Sequence, residues 1–243
     1  MELSVLQKGN IYFFYRPKVQ HLFAHTIDEV QGLLLVFKPV DLNKYIIVRV
    51  GKKKLPEDSP YFAFVEKVCS SLEDLKEAFK EEHYETSTQE NKDVGAAQCV
   101  GEGKYLFLDH EQHTHLCFQL TNMAAASDLP KEFHLTPSGD YLISVKNPQK
   151  SSTAGLPSQE KATYPLGLQN NFGDYRFIPL NSPEYLNYEG AEFLIIGKNT
   201  SDIESESSEI QKCLQEVAAD KLNQSFEEIE NPDKAIVKVL SDN

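Results

Sequence analysis

The chain lacks tryptophan and has only 2 methionines and 4 cysteines among its 243 residues. Phenylalanine (14) and tyrosine (11) must therefore supply the large side chains of any core. A chain of this length can bury a sizeable core, so it needs no disulfide or metal to fold. The cysteines fit no C-x-x-C spacing, and we expect four reduced thiols in a cytosolic protein: Cys69, Cys99, Cys117 and Cys213.

Positive charge and long apolar runs are also scarce. Only 24 Lys and Arg stand against 37 Asp and Glu, which gives a net charge of −13. Such a chain repels phosphate backbones, so we expect no nucleic-acid partner. No stretch approaches the roughly 20 apolar residues that cross a bilayer, and residues 1–7 lack the pattern of a signal peptide. We therefore expect a cytoplasmic protein with no membrane contact, whose partner is another protein or a small-molecule ligand.

Short apolar runs bounded by Gly and Pro dominate the first half of the chain, and this pattern is typical of strands. One helix is predicted after residue 71, because Ser71 and Asp74 stand at capping-box spacing. Its stripe of apolar residues recurs at helical intervals, at Val68, Leu72, Leu75 and Phe79. A regular β-α-β alternation is missing. We therefore predict an α+β fold, with a mainly antiparallel sheet or open barrel, one or two covering helices and a C-terminal helical extension.

The composition changes near residue 199. Residues 200–243 contain 11 acidic and 4 basic side chains. Apolar residues recur there at helical spacing, at Ile210, Cys213, Leu214 and Val217. We predict a globular domain over residues 1–198 and an acidic helical tail over residues 199–243. The apolar stripe of the tail either packs on its own domain or binds the groove of a partner.

The strongest candidate for chemistry is residues 109–115 (DHEQHTH), which hold three of the seven histidines at the predicted tip of a β-hairpin. His113 and His115 are two positions apart on one strand, so their side chains share a face. With His110 and a carboxylate such as Asp109 or Glu111, they could bind a divalent metal. The alternatives are contact with a ligand without metal, and a polar hairpin tip whose histidines are merely exposed.

Arg16 ends an aromatic strand, where a guanidinium can clamp a carboxylate or phosphate. Tyrosine is abundant in the chain and suits binding surfaces. The predicted ligand-binding residues are therefore Tyr12, Arg16, His113 and His115. No nucleophile elbow or phosphate loop occurs, and we name no catalytic residue. We predict a non-catalytic ligand- or protein-binding module; the alternative is a metal-dependent hydrolase that uses His110, His113 and His115, with a divalent metal as its cofactor.

Five short segments stand out together: residues 9–18 (GNIYFFYRPK), 113–116 (HTHL), 141–148 (YLISVKNP), 155–157 (GLP) and 186–190 (LNYEG). They resemble segments of a family of uncharacterised, mainly bacterial proteins. The resemblance covers about residues 1–198 and ends where the composition changes. It implies a compact domain with a boundary near residue 198 and an acidic tail as an additional part. No activity is attached to that family, so the resemblance implies no reaction type.

Overall fold

Between residues 4 and 197, the described part of the computed structural model contains eleven strands, three short α-helices and three 3₁₀ helices. The structure describes residues 4–85, 91–110, 112–124, 127–152 and 154–197, together with Phe226, Ile229 and Ile236. The strands are β1 (Ser4–Pro17), β2 (Val30–Pro39), β3 (Tyr45–Val50), β4 (Tyr61–Cys69), β5 (Glu82–Glu85), β6 (Asn91–Val94), β7 (Gln98–His110), β8 (His113–Met123), β9 (Ser138–Lys146), β10 (Phe177–Pro179) and β11 (Glu192–Ile196). The helices are α1 (Leu72–Phe79), α2 (Leu129–Glu132) and α3 (Leu166–Asn170).

Eight of the strands close into an antiparallel barrel in the order β1-β2-β3-β4-β11-β9-β8-β7. Strand β9 completes the ring, because residues 138–142 pair with β8 and residues 142–145 pair with β11. Strand β10 pairs with the remainder of β9, and β5 and β6 form a separate hairpin. Closure leaves no open sheet edge around the ring, which removes the unpaired backbone groups of an edge strand.

The prediction of an α+β fold is therefore wrong. The sheet is a closed barrel rather than an open one, since its two ends pair with each other. The three α-helices within the described ranges have 8, 4 and 5 residues, which is too short to form a covering layer. The mainly β composition follows from the many short apolar runs. These runs form strands that pair with neighbouring strands instead of packing against covering helices.

The barrel interior is filled by side chains. Ile11 and Phe13 on β1 point inward, as do Tyr105 and Phe107 on β7, and each is at most 1% exposed. A barrel of eight strands is just wide enough for its own side chains to fill. A ligand therefore has to bind at an end of the barrel or on its outer face.

Helix α1 covers part of the outer face. It begins at the predicted capping box: the Ser71 hydroxyl accepts the N–H of Asp74, and the Asp74 carboxylate accepts the N–H of Ser71. The predicted helix is thus confirmed, although it ends at Phe79 and Val68 belongs to β4. Phe79 packs edge-on against Phe14, with ring centroids 4.8 Å apart, and so closes an outer apolar cluster.

The three described residues beyond position 197 also pack on the outer face. Phe226 and Ile229 join Leu106, Leu108 and Cys117 in one buried cluster. Lys104 donates from Nζ to the Phe226 carbonyl at 3.1 Å, and Ile236 joins the cluster under α1. The apolar stripe predicted at residues 210–217 lies outside the described residues.

Candidate functional site

The hairpin of β7 and β8 places the clustered histidines on the outer face of the barrel. His110 lies opposite His113, and His115 lies opposite Leu108. His110 and His115 are each 4% exposed, and their ring centroids are 6.3 Å apart. His113 is half-buried at the tip. The cluster is therefore largely buried rather than a freely exposed rim.

Three buried polar atoms in this cluster have no hydrogen-bond partner among the described residues, namely both ring nitrogens of His110 and Nε2 of His115. Oγ1 of Thr114, on the opposite face of β8, has no such partner either. The other nitrogen of His115, Nδ1, lies 2.8 Å from Oδ1 of Asp140. The Asp140 carboxylate accepts a hydrogen bond from the Nδ1–H group and thereby fixes the orientation of the ring. Buried polar atoms usually have partners, so stability alone does not explain this cluster.

The prediction of a metal site remains to be tested. Within the described ranges, no group of three His, Cys, Asp or Glu side chains is placed to hold a metal ion. Glu111, which the sequence offers as a further ligand, lies outside those ranges. Elemental analysis of the purified protein tests the prediction. Stoichiometric zinc, iron or manganese that is lost on replacing His113 and His115 with Ala would support the metal site, whereas metal at trace level would contradict it.

Tyr12 lies far from the histidines along the barrel. On β1, Ser4 pairs with Asp109, next to the hairpin tip, whereas Tyr12 pairs with Glu102. Seven residues of strand span roughly 20 Å. Tyr12 is 0% exposed and belongs to the outer cluster beneath α1. It therefore does not form one site with His113 and His115.

Arg16 is occupied at the end of α1. Its Nη2 donates to the Ala78 carbonyl at 2.7 Å, and its Nη1 donates to the Lys80 carbonyl at 3.3 Å. Nη1 also lies 3.3 Å from a carboxylate oxygen of Glu82. Cations near the last carbonyls of a helix are stabilising. In this structure Arg16 stabilises the C-terminal end of α1 and does not contribute to a site with the histidines.

Asp140 connects the histidine cluster to a pocket of about 430 Å³. This volume lies within the range of small-molecule sites. The pocket, which we call the His134 pocket, is formed by the loop before β4, the segment after α2 and the start of β9. Its polar lining residues are Glu57, Lys131, His134, Thr136, Asp140 and Tyr141.

His134 has an unusual backbone conformation for its residue type. Its φ of 56° lies in the left-handed region, just after the end of α2. Its N–H donates to the Lys131 carbonyl at 3.0 Å, and the N–H of Leu135 donates to the Pro130 carbonyl at 2.8 Å. Glycine or asparagine is usual at such a helix end, and another residue is strained there by about 1 kcal/mol. The backbone favours glycine here, and the histidine places an imidazole against the pocket instead.

The imidazole of His134 lies between two charged groups. Its Nε2 is 3.3 Å from Nζ of Lys54, and its Nδ1 is 3.2 Å from Oε2 of Glu57. A lysine ammonium can only donate, so Nε2 accepts and the ring proton is assigned to Nδ1, which faces the carboxylate. The Nδ1 contact is close but poorly aligned for a hydrogen bond. Glu57 therefore acts on the ring mainly through its charge.

The remaining polar groups of the His134 pocket are mostly donors. Burial, together with the charges of Asp140 and Glu57, raises the pKa of Tyr141 to about 12, so the phenol stays protonated at neutral pH. Lys131 extends into solvent with 85% of its side chain exposed. Both carboxylates already face a histidine, Glu57 facing His134 and Asp140 facing His115. The pocket therefore offers the Tyr141 phenol and the Lys131 ammonium as hydrogen-bond donors to an incoming acceptor group.

Sequence reasoning missed this pocket. His134 is isolated in the sequence, and Lys54 reads as part of a solvated lysine turn at residues 51–54. Residues 137–140 (PSGD) have the composition of a turn, which hides the role of Asp140. The one local signal is a histidine at a left-handed helix end, and that position is visible only when the boundaries of α2 are known.

Comparisons of the chain with protein-family models, with curated proteins and with solved structures found no match. The resemblance described above therefore stays a prediction. In the parts of the chain that the structure describes, no helix is long and apolar enough to cross a membrane.

Proposed function

We propose that the chain is a cytosolic, non-catalytic binding module whose His134 pocket takes a small ligand with an anionic group. The observation that carries the proposal is His134 itself. It holds a left-handed position that glycine fits better, and its ring lies between Lys54 and Glu57. The three cysteines at described positions are free thiols, which supports a reducing compartment.

The class of ligand follows from the balance of charges in the pocket. Each carboxylate faces a histidine, and Lys54, which is not a lining residue, places a positive charge 3.3 Å from Nε2 of His134. Lys131 and the protonated Tyr141 supply hydrogen-bond donors. A carboxylate or phosphate accepts hydrogen bonds from such groups, and charged acceptors strengthen them. The ligand is therefore a small organic anion rather than a cation.

The geometry around His134 favours binding over catalysis. Thr136 supplies the only aliphatic hydroxyl among the described residues that line the pocket. That hydroxyl donates to the Ser138 carbonyl at 2.7 Å instead of to the imidazole. Activation of a hydroxyl nucleophile requires a hydrogen bond to its base. The pocket thus has the groups that orient an anion without the couple that would attack a substrate.

Titration with simple anions tests the proposal. Inorganic phosphate and acetate are added to protein with ¹³C-labelled histidine side chains, and the imidazole signals are followed by NMR. We expect saturable shifts of the His134 signals with at least one of the two anions. The variant His134→Gly should keep the fold, because glycine suits a φ of 56°. The variant has no His134 signal, so binding is followed at the Thr136 amide. This amide should shift saturably in the wild type and not in the variant.

Gln20→Gly is the matched control for this experiment. Gln20 is the other non-glycine residue with positive φ in the described ranges, at 69°, and it does not line the pocket. This variant relieves the same kind of backbone strain and should bind the anions as the wild type does. The absence of any saturable shift with either anion would contradict the proposal, as would equal binding by the His134→Gly variant.

A further inference from the structure

Lys146 and Glu192 form an ion pair that lies completely inside the protein. Their side chains are 0% and 1% exposed, and Nζ lies 2.8 Å from Oε2. Removing two charges from water is expensive, so a buried pair is weak evidence for a gain in stability. The other carboxylate oxygen, Oε1, accepts the N–H of Leu156 at 2.7 Å. The pair therefore holds the 154–156 loop against the outer face of the barrel.

Gly155 allows that loop to approach closely. A Cβ atom at this position would lie 2.5 Å from Oε1 of Glu192, which is too close for any real contact. Glu192 in turn pairs with Phe64 across β11 and β4. The ion pair, the glycine and the strand register thus fix the loop beside β4. Together they build one wall of a groove of about 470 Å³, which we call the Phe62 groove.

Aromatic and cationic side chains form the rest of the Phe62 groove. The rings of Phe62 and Phe64 are nearly parallel, at 14°, with centroids 6.0 Å apart. The Arg49 guanidinium lies 5.1 Å from the centroid of the Phe64 ring. Lys52 also lines the groove, and none of the described lining residues is acidic. Outside the lining, Nε of Arg49 also lies 3.3 Å from Oε2 of Glu66. The groove therefore offers a flat apolar surface with two cationic side chains beside it, one of which already contacts a carboxylate.

We propose that the Phe62 groove binds a small anion that carries a flat ring, the chemistry shared by nucleoside monophosphates and aryl carboxylates. The ring stacks on Phe62, which is only half-buried, while Arg49 and Lys52 neutralise the anionic group. The net charge of −13 favours such a small anion over a polyanion. This groove shares no described lining residue with the His134 pocket, so the proposal goes beyond the function inferred above.

Four probes separate the parts of this chemistry: adenosine 5′-monophosphate, benzoate, adenosine and inorganic phosphate. Binding is measured by NMR of protein with labelled phenylalanine, at the Phe62 and Phe64 signals, so that an anion bound in the His134 pocket is not counted. We expect adenosine 5′-monophosphate, benzoate or both to shift the Phe62 and Phe64 signals at millimolar concentration, with adenosine and phosphate at least about tenfold weaker. If only one of these two anions binds, the result shows whether the groove prefers a nucleoside monophosphate or an aryl carboxylate. Either outcome supports the proposal that the groove binds an anion with a flat ring.

The variants are chosen so that the fold is retained. Arg49 and Lys52 are exposed, and the double variant Arg49→Gln/Lys52→Gln should weaken binding at least about tenfold without loss of melting temperature. Gly155→Ala should weaken binding by displacing the loop, whereas Gln20→Gly, at a residue that does not line the groove, should leave it unchanged. The proposal is overturned if neither ring anion binds, if phosphate alone binds equally well, or if the Arg49→Gln/Lys52→Gln variant binds as the wild type does.

Discussion

At the scale of single residues, the Lys146–Glu192 pair shows how strongly a buried charge depends on its partner. Lys146→Met leaves the Glu192 carboxylate buried and unpaired. We expect this variant to lose about 3–5 kcal/mol of unfolding free energy. The double variant Lys146→Met/Glu192→Gln removes both charges and keeps an acceptor for Leu156, so it should lose less. Urea denaturation measures both values, and equal losses would show that the charge balance is not the cause.

The cysteine thiols provide a second prediction for single residues. Burial raises the pKa of Cys99 to about 12 and also raises the pKa of Cys69. Because the thiolate is the reactive form, neither thiol should react readily at neutral pH. We expect iodoacetamide to modify Cys99 at least about tenfold more slowly in the native protein than in urea, by peptide mass spectrometry. Equal rates in the two states would show that Cys99 is accessible and ionised.

The two sets of candidate residues differ in what the sequence can predict about them. That His113 and His115 share a face follows from the period of two in a strand, which is a local rule. The convergence of Lys54, Glu57 and His134 depends on a loop before β4 meeting the end of α2. No local pattern encodes a meeting between such distant segments. The burial of His115 was equally hidden, since it depends on Asp140 of a different strand.

At the scale of elements, α1 was predictable because its first turn is stabilised by residues next to it in the sequence, the capping box of Ser71 and Asp74. The hydroxyl of Ser70 and the N–H groups of Ser70 and Ser71 donate to the Asp74 carboxylate, and these bonds, together with the contact to the Ser71 hydroxyl, lower the Asp74 pKa. A carboxylate with a lowered pKa in the folded state contributes stability above its ordinary pKa of about 3.9. That contribution is lost as the pH falls through the folded-state value.

The variant Asp74→Asn tests this titration. Asparagine can still accept hydrogen bonds at the helix start but carries no charge. We expect the wild type to melt at a higher temperature than the variant at neutral pH, with a constant difference above about pH 5. The difference should shrink as the pH falls below about 4. A difference that is the same at pH 3 and pH 7 would show that the Asp74 charge does not support the helix.

Strand β4 shows why the fold class was predicted wrongly. Val68 is four positions before Leu72, the first residue of α1, and fits the helical stripe, but it is the next-to-last residue of a strand that pairs with β3. A residue at such a junction can fit both the apolar spacing of the helix and that of the strand. The sequence alone therefore does not decide to which element it belongs. Closure of the ring is harder still to predict from local patterns, because it depends on β9 pairing with both β8 and β11.

At the scale of the whole molecule, the filled barrel separates stability from binding. The interior is closed by its own aromatic side chains, and both proposed sites lie outside it, on strand residues and the loops beside them. Loops on a rigid scaffold are common places for binding residues. Variants in the two sites should therefore change ligand affinity while the melting temperature stays close to that of the wild type. Variants of Lys146 or Glu192 are the exception, because these residues are buried behind the Phe62 groove.

The tail connects to the barrel through a few apolar side chains. Phe226 and Ile229 are 9% and 2% exposed against β7 and β8, and Ile236 is 1% exposed in the cluster under α1. Full burial of such a side chain contributes about 1.5–3 kcal/mol, and ordering the tail offsets part of that gain. All strands of the ring lie before residue 198. The barrel should therefore survive removal of the tail, but with lower stability.

A chain that ends at residue 198 tests this balance. We expect it to keep the far-ultraviolet circular dichroism of the barrel and to lose a few kcal/mol of stability, which lowers Tm by about 2–4 °C for each kcal/mol. Phe226→Ala in the full chain should account for part of the loss, whereas Phe23→Ala, which removes a ring that is 54% exposed, should change little. An unchanged Tm would mean that the tail does not hold its docked position in solution. Loss of the barrel signal would mean that the outer clusters are required for folding, because the apolar faces of β1, β7 and β8 cannot remain uncovered.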